Sequence, residues 1–123
     1  MSLLLFYLGS EALVVGPRNT AVIVGQKMEM KCQVDSNLVH RLWSIQRTLE
    51  RQSEPLATIW NGKYSIFNGH FGVDNIDFGS AGVLYTNSTT LNDAGIYICS
   101  VQRGSNQIEH HSAHLTVFGR LSS

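Results

Sequence analysis

The stretch Asp93-Ala94-Gly95-Ile96-Tyr97-Ile98-Cys99 is the most informative part of the chain for the fold. A second cysteine, Cys32, lies far upstream, and Trp43 follows that cysteine at a short distance. Residues 28–34 around Cys32 alternate apolar and polar side chains, which is the pattern of a strand with one buried face. Both cysteines therefore lie in segments that we expect to be half-buried strands.

Outward from these landmarks, short β-prone segments alternate with turn residues such as Asn61-Gly62. No segment has sustained helical periodicity, and turn signals recur about every 8–12 residues. We expect strands near residues 20–24, 28–34, 42–46, 56–60, 64–67, 71–73, 83–89, 96–102 and 108–117. The sequence therefore predicts an all-β sandwich or barrel with about nine strands.

The composition excludes some classes of partner. Apolar residues make up 43% of the chain and charged residues 15%, which predicts a globular domain. Nine basic residues balance nine acidic ones, whereas nucleic-acid binding requires a basic face. Arg41, Arg47 and Arg51 form a local basic cluster interspersed with acidic residues, and we expect a solvated rim there. We therefore expect no nucleic-acid partner.

The combination of Cys32, Trp43 and the D-x-G-x-Y-x-C pattern of residues 93–99 resembles the V-set branch of the immunoglobulin superfamily. The resemblance covers about residues 12–118, which we take as one domain. It implies a variable-type sandwich with A-B-E-D and G-F-C-C′-C″ sheets joined in a Greek key. It also implies a protein-binding module without catalytic residues, cofactor or small-molecule substrate.

The resemblance assigns roles to the landmark residues. It implies a disulfide between Cys32 and Cys99 that links the two sheets, with Trp43 packed against it. Tyr97 would be a tyrosine corner, bonded to the chain near Asp93. A structural disulfide implies an oxidising compartment, so we expect an extracellular domain, either at the cell surface or secreted.

Asp93 also has an expected side-chain partner. In V-set domains this aspartate usually pairs with an arginine placed just before a phenylalanine. Here His70 occupies that position and precedes Phe71. The resemblance predicts a His70–Asp93 contact, and a surface histidine without a partner is the alternative.

The resemblance also predicts where partners bind, namely the outer face of the G-F-C-C′ sheet. Gln46 belongs to a W-x-x-Q pattern like that of antigen-receptor variable domains. In those domains this glutamine lies in the face through which two domains pair. The alternative is a glutamine that is only solvated. Charged residues are scarce in the predicted set, as at interface centres. From the strand alternation, the set comprises Leu42, Ser44, Gln46, Ile98, Ser100, Gln102, His110, Ser112 and His114, with Trp60 beside them.

Strand G departs from the antigen-receptor pattern. Those domains have F-G-x-G there, which forms a bulge, whereas residues 109–112 read Glu-His-His-Ser. The sequence therefore predicts a straight strand G. Adhesion domains such as those of nectins and junctional adhesion molecules share this ending and pair through the same sheet face.

Three loops at one end of the sandwich form a second candidate surface. They are residues 35–41, 61–64 and 103–108. The short third loop predicts a flat binding surface. The loop residues that we expect to contact a partner are Ser36, Asn37, Asn61, Gly62, Arg103, Gly104, Ser105 and Asn106.

The two ends of the chain carry fewer signals. Residues 1–11 are interpreted as a remnant of a secretory signal, an extra strand or residues added in cloning, and residues 119–123 as a tail or linker. A membrane span takes about 20 apolar residues, and none is present, so any membrane anchor would lie outside this sequence. Asn87-Ser88-Thr89 is the one N-glycosylation sequon.

The five histidines raise the question of a metal site. His110 and His114 share one face of a strand but lie about 13 Å apart along it. Zn–N bonds are about 2.1 Å long, so one zinc ion cannot bridge them, and we expect no metal. A pH-sensitive interface is the alternative role of these histidines.

Two functions remain from different classes. The first is an extracellular recognition domain of an immune-type or adhesion receptor, which binds a protein partner or pairs with a second V domain, a second copy of the same chain included. The second is a secreted or structural module that acts as a spacer. A spacer is expected to be monomeric and to have a polar G-F-C-C′ face.

Overall fold

The computed structural model describes residues 13–36, 39–74, 76, 82–104 and 107–120. These residues contain eleven strands. A 3₁₀ turn, Leu91–Asp93, precedes the tenth strand. In chain order the strands are β1 (Leu13–Val15), β2 (Thr20–Ile23), β3 (Met28–Met30), β4 (Gln33–Val34), β5 (His40–Gln46), β6 (Glu54–Trp60), β7 (Lys63–Ile66), β8 (Gly72–Asp74), β9 (Val83–Thr86), β10 (Gly95–Arg103) and β11 (Gln107–Phe118).

The strands form one large sheet and a second, divided layer. The front sheet has the order β2-β11-β10-β5-β6-β7, and only β2 joins it in parallel, beside β11. The second layer consists of β3-β9-β8 and the pair β1-β4. This arrangement confirms the all-β, two-sheet sandwich.

The predicted A-B-E-D sheet differs in two respects, and the first is that its A strand is broken. Gly16-Pro17 interrupts the segment, and proline cannot donate a ladder hydrogen bond. Residues before the break pair with β4, and residues after it cross to β11. The predicted strand 28–34 is likewise divided, since β3 pairs with β9 and β4 with β1.

The core surrounds the predicted disulfide, which the structure confirms between Cys32 and Cys99. Both cysteines and Trp43 are fully buried. Trp43 lies directly opposite Cys99 in the β5–β10 ladder. The Trp43 indole also donates a hydrogen bond of 3.3 Å to the carbonyl of Gly82.

Tyr97 forms the corner that links β10 to the preceding turn. Its hydroxyl donates to the Asp93 carbonyl at 2.6 Å, and the ring is fully buried. Burial, reinforced by the nearby Asp93, raises the pKa of Tyr97 well above its ordinary value. The hydroxyl therefore stays a neutral donor.

Tyr97→Phe should lower the free energy of unfolding by about 1–3 kcal/mol, because the buried Asp93 carbonyl loses its donor. The raised folded-state pKa contributes stability that is complete below about pH 10, the pKa of an unfolded tyrosine, and declines at higher pH. The variant should lack that part of the alkaline decline. Urea unfolding at neutral and alkaline pH measures both effects.

Tyr85→Phe is the matched control, because the half-buried Tyr85 lies on β9 and lines the outer side of the second layer. Equal losses of stability in the two variants would contradict the role assigned to the Tyr97 hydroxyl.

The predicted His70–Asp93 contact is confirmed. Nε2 of His70 lies 2.8 Å from Oδ2 of the buried Asp93. The same carboxylate oxygen accepts the backbone N–H of Thr90 at 2.8 Å. Asp93 thus fixes the β9–β10 connection through its side chain and its carbonyl.

The prediction that Arg41 lies on a solvated rim is wrong. Arg41 is only 1% exposed, and its guanidinium donates to the carbonyls of Cys32 and Ile76 at 2.9 and 3.3 Å. Burial lowers its pKa. On β5, Arg41 alternates in phase with Trp43, so its position in the strand points it inward despite its charge.

Candidate functional site

The predicted binding residues lie side by side because β5, β10 and β11 are in regular register. Ile98 is opposite Ser44 on β5 and Ser112 on β11, and Ser100 is likewise opposite Leu42 and His110. We call the outward side of these strands and β6 the front face. It comprises His40, Leu42, Ser44, Gln46, Pro55, Thr58, Trp60, Ile96, Ile98, Ser100, Gln102, Ile108, His110, Ser112 and His114.

Strand β11 has the straight form that the sequence predicts. Nine consecutive residue pairs join it to β10, from Gly95–Leu115 to Arg103–Gln107, without a register shift. The ladder therefore has no bulge between Glu109 and Ser112. This regularity gives the front face a continuous outer edge.

A shallow concavity of about 640 Å³ occupies the centre of the front face. Ser44 is the most buried of the residues that line it, at 6% exposure. None of its lining residues is an aspartate, glutamate, lysine or arginine. They are Leu42, Ser44, Gln46, Ser53, Pro55, Ile96, Ile98, Ser100, His110 and Ser112.

The predicted set and the concavity overlap without coinciding. Gln102, His114 and Trp60 belong to the front face but do not line the concavity. Sequence reasoning missed Ile96, although it alternates in phase with Ile98 and could have been found. It also missed Pro55, whose orientation depends on a register shift between β5 and β6 that the sequence does not reveal.

Three polar side chains of the face take part in hydrogen bonds. The Gln46 amide donates to the carbonyl of Arg51 at 3.2 Å. Oγ of Ser100 lies 2.8 Å from Nδ1 of His110, across the β10–β11 ladder. Fixed side chains lose less conformational entropy on binding than mobile ones.

Trp60 lies beside the concavity, near the end of the face. It is 51% exposed, and its ring meets that of His40 edge-on, with the centroids 6.2 Å apart. A smaller groove runs past this pair toward Lys63 and Tyr64. Trp60 thus provides an exposed aromatic side chain at the margin of the face.

The loop end is described in part. Asn61 and Gly62 have positive φ, of 54° and 74°, in the tight turn between β6 and β7. Arg103 pairs with Asp35 at 2.5 Å, which joins the first and third loops. Ser36 and Gly104 adjoin this pair in sequence, whereas Asn37, Ser105 and Asn106 lie outside the described residues, as do residues 1–11.

In the part of the chain that the structure describes, no three metal-ligating side chains come together. Within the same part, no helix has the length and apolar character needed to cross a membrane.

The sheet order, the disulfide between the layers and the tyrosine corner define an immunoglobulin domain of the variable type. The chain belongs to the immunoglobulin V-set family, because the profile of the immunoglobulin V-set domain matches residues 15–118. Such domains are typically binding modules and not enzymes, and those with an intrachain disulfide are typically extracellular.

A solved structure described as a marsupial T cell receptor is similar to this chain, with a TM-score of 0.76 and 16% sequence identity. The match covers 93% of this chain and 37% of the receptor chain, so this chain spans well under half of that protein's length. At this identity the likeness shows the fold alone. No curated protein matches the chain.

Proposed function

We propose that the protein is an extracellular recognition domain of a cell-surface receptor, of the immune or adhesion type, and that it binds through the front face. The partner that we propose is a second V-type domain, namely another copy of this chain. The observation that carries the proposal is the largely apolar concavity at the centre of the face, which no aspartate, glutamate, lysine or arginine lines.

Charge supports a second copy as the occupant. The described residues of the front face include no aspartate, glutamate, lysine or arginine. In a twofold pair each group near the axis meets its own copy, so like charges there would repel. The chain as a whole has a formal net charge of zero, so two copies do not repel each other at long range.

The same face argues against the spacer function. A spacer needs a polar surface that stays in water, whereas this face presents Leu42, Ile96 and Ile98 around its concavity. Exposed apolar patches on soluble domains often mark interaction sites. His110 and His114 also belong to the face, so a pH-sensitive interface stays a prediction.

Gln46→Glu should weaken self-association about tenfold or more, because a twofold pair brings two added carboxylates to the same interface. Sedimentation equilibrium of the purified domain over a wide concentration range measures the dimer dissociation constant. Gln107→Glu makes the same chemical change on an exposed residue outside the front face and should have no effect. A wild-type domain that stays monomeric throughout would contradict self-pairing.

A further inference from the structure

The sequon Asn87-Ser88-Thr89 is placed unusually in the fold, because its two functional residues have opposite environments. Asn87 and Ser88 are exposed in the turn after β9. Thr89 is only 1% exposed. The residue that accepts a glycan is thus accessible, while the hydroxyl that completes the sequon is not.

All three polar groups of Thr89 are bonded to the turn that follows β2. Its N–H and its hydroxyl both donate to the Gln26 carbonyl, at 2.9 and 2.5 Å. Its carbonyl accepts the N–H of Gly25 at 2.8 Å. Exposing the Thr89 hydroxyl in the folded domain would therefore break a connection between two turns.

We propose that Asn87 bears an N-linked glycan that is attached before the domain folds, and that the folded domain is a poor acceptor because it must first open locally. The donor is a lipid-linked oligosaccharide diphosphate. The Asn87 amide nitrogen forms a bond to the anomeric carbon of the first sugar and loses one proton. The bond from that carbon to the diphosphate breaks, and the lipid diphosphate leaves with the electron pair.

The transfer requires an enzyme that reads both the asparagine and the hydroxyl two residues later. In the unfolded chain both groups are free to enter its active site. In the folded domain Thr89 is held by the Gln26 and Gly25 contacts, so modification has to wait for local opening. The same contacts give the Thr89 hydroxyl a structural role, whether or not a glycan is attached.

The position of Asn87 also determines which surface the glycan would cover. Asn87 follows β9, which belongs to the layer opposite the front sheet. A groove beside it is lined by Gly72 and Tyr85 of that layer and by His70, which precedes β8. A bulky glycan here leaves the front face open.

The first test is the mass of the full chain secreted from glycosylating eukaryotic cells, before and after enzymatic removal of N-glycans. We expect one glycan on the wild type and none on Asn87→Gln, a substitution of an exposed residue that leaves the Thr89 contacts in place. A secreted wild-type chain without a glycan would overturn the proposal.

The second test separates the folded from the unfolded acceptor. The full chain, produced in bacteria, is used either oxidised and folded or reduced and alkylated at Cys32 and Cys99. The alkylated chain cannot refold, because both positions are fully buried. With purified oligosaccharyltransferase and a lipid-linked oligosaccharide, we expect the folded chain to react at least roughly tenfold more slowly, since it must open locally first. Equal initial rates would overturn the proposed order of events.

Discussion

Replacing both Cys32 and Cys99 with alanine should lower the free energy of unfolding by about 4 kcal/mol or more. The disulfide closes a loop with a sequence separation of 67 residues, and the chain-entropy model gives about 4 kcal/mol for a loop of that length. Because both cysteines are fully buried, the lost sulfur atoms add a packing cost. Small domains have about 5–15 kcal/mol of stability in total, so this change should leave the domain close to unfolding.

Urea unfolding of three samples separates the two costs. The oxidised wild type is the reference, the reduced wild type lacks the bond but keeps the sulfur atoms, and the double variant lacks both. We expect reduction to account for most of the loss and the variant to be the least stable. Equal stabilities of the oxidised and reduced wild type would contradict a structural role for the disulfide.

Ile98→Asp should abolish pairing through the front face. Ile98 lies on the central strand β10, between Ser44 and Ser112, and lines the concavity. A carboxylate at this position would lose its hydration on binding. The described residues of the face include no lysine or arginine that could pair with it. Two copies would each contribute such a charge, so we expect the association constant to fall by at least roughly a hundredfold.

The control for Ile98→Asp adds the same charge elsewhere. Ser88→Asp places a carboxylate in an exposed turn of the opposite layer and should leave association unchanged. Because Ile98 is half-buried, urea unfolding must first show that the variant folds. A folded Ile98→Asp domain that associates like the wild type would refute the front face as the binding surface.

Local patterns predict much of the candidate site. Alternation from buried Tyr97 and Cys99 places Ile98 and Ser100 on the outward side of their strand, and the ladder places them beside residues of β5 and β11. The period of two is a property of the extended backbone, so it holds wherever the strand is regular. Pro55 was not predicted, because a register shift on β6 interrupts the period of two at that point.

Arg41 shows the limit of arguing from residue type. Its charge predicts a position in solvent, but its place on β5 directs its side chain into the core. There two backbone carbonyls accept hydrogen bonds from its guanidinium. Those carbonyls belong to segments on either side of it in the chain, and no local pattern brings them together. The sequence of β5 alone therefore could not show that a buried guanidinium has partners there.

The sequence by itself determined the V-set sandwich, the cysteine pair, the landmark tryptophan and tyrosine, and the side of each regular strand that faces out. The outward sides follow from the alternation along each strand, whereas the sandwich, the cysteine pair and the roles of the tryptophan and tyrosine follow from the resemblance of their motifs to the V-set family. The tertiary structure alone decided the break of the first strand between two layers, the concave shape of the front face and the locked Thr89 hydroxyl. Each of these depends on segments distant in sequence that share one set of hydrogen bonds, and such contacts exist only after the chain has folded.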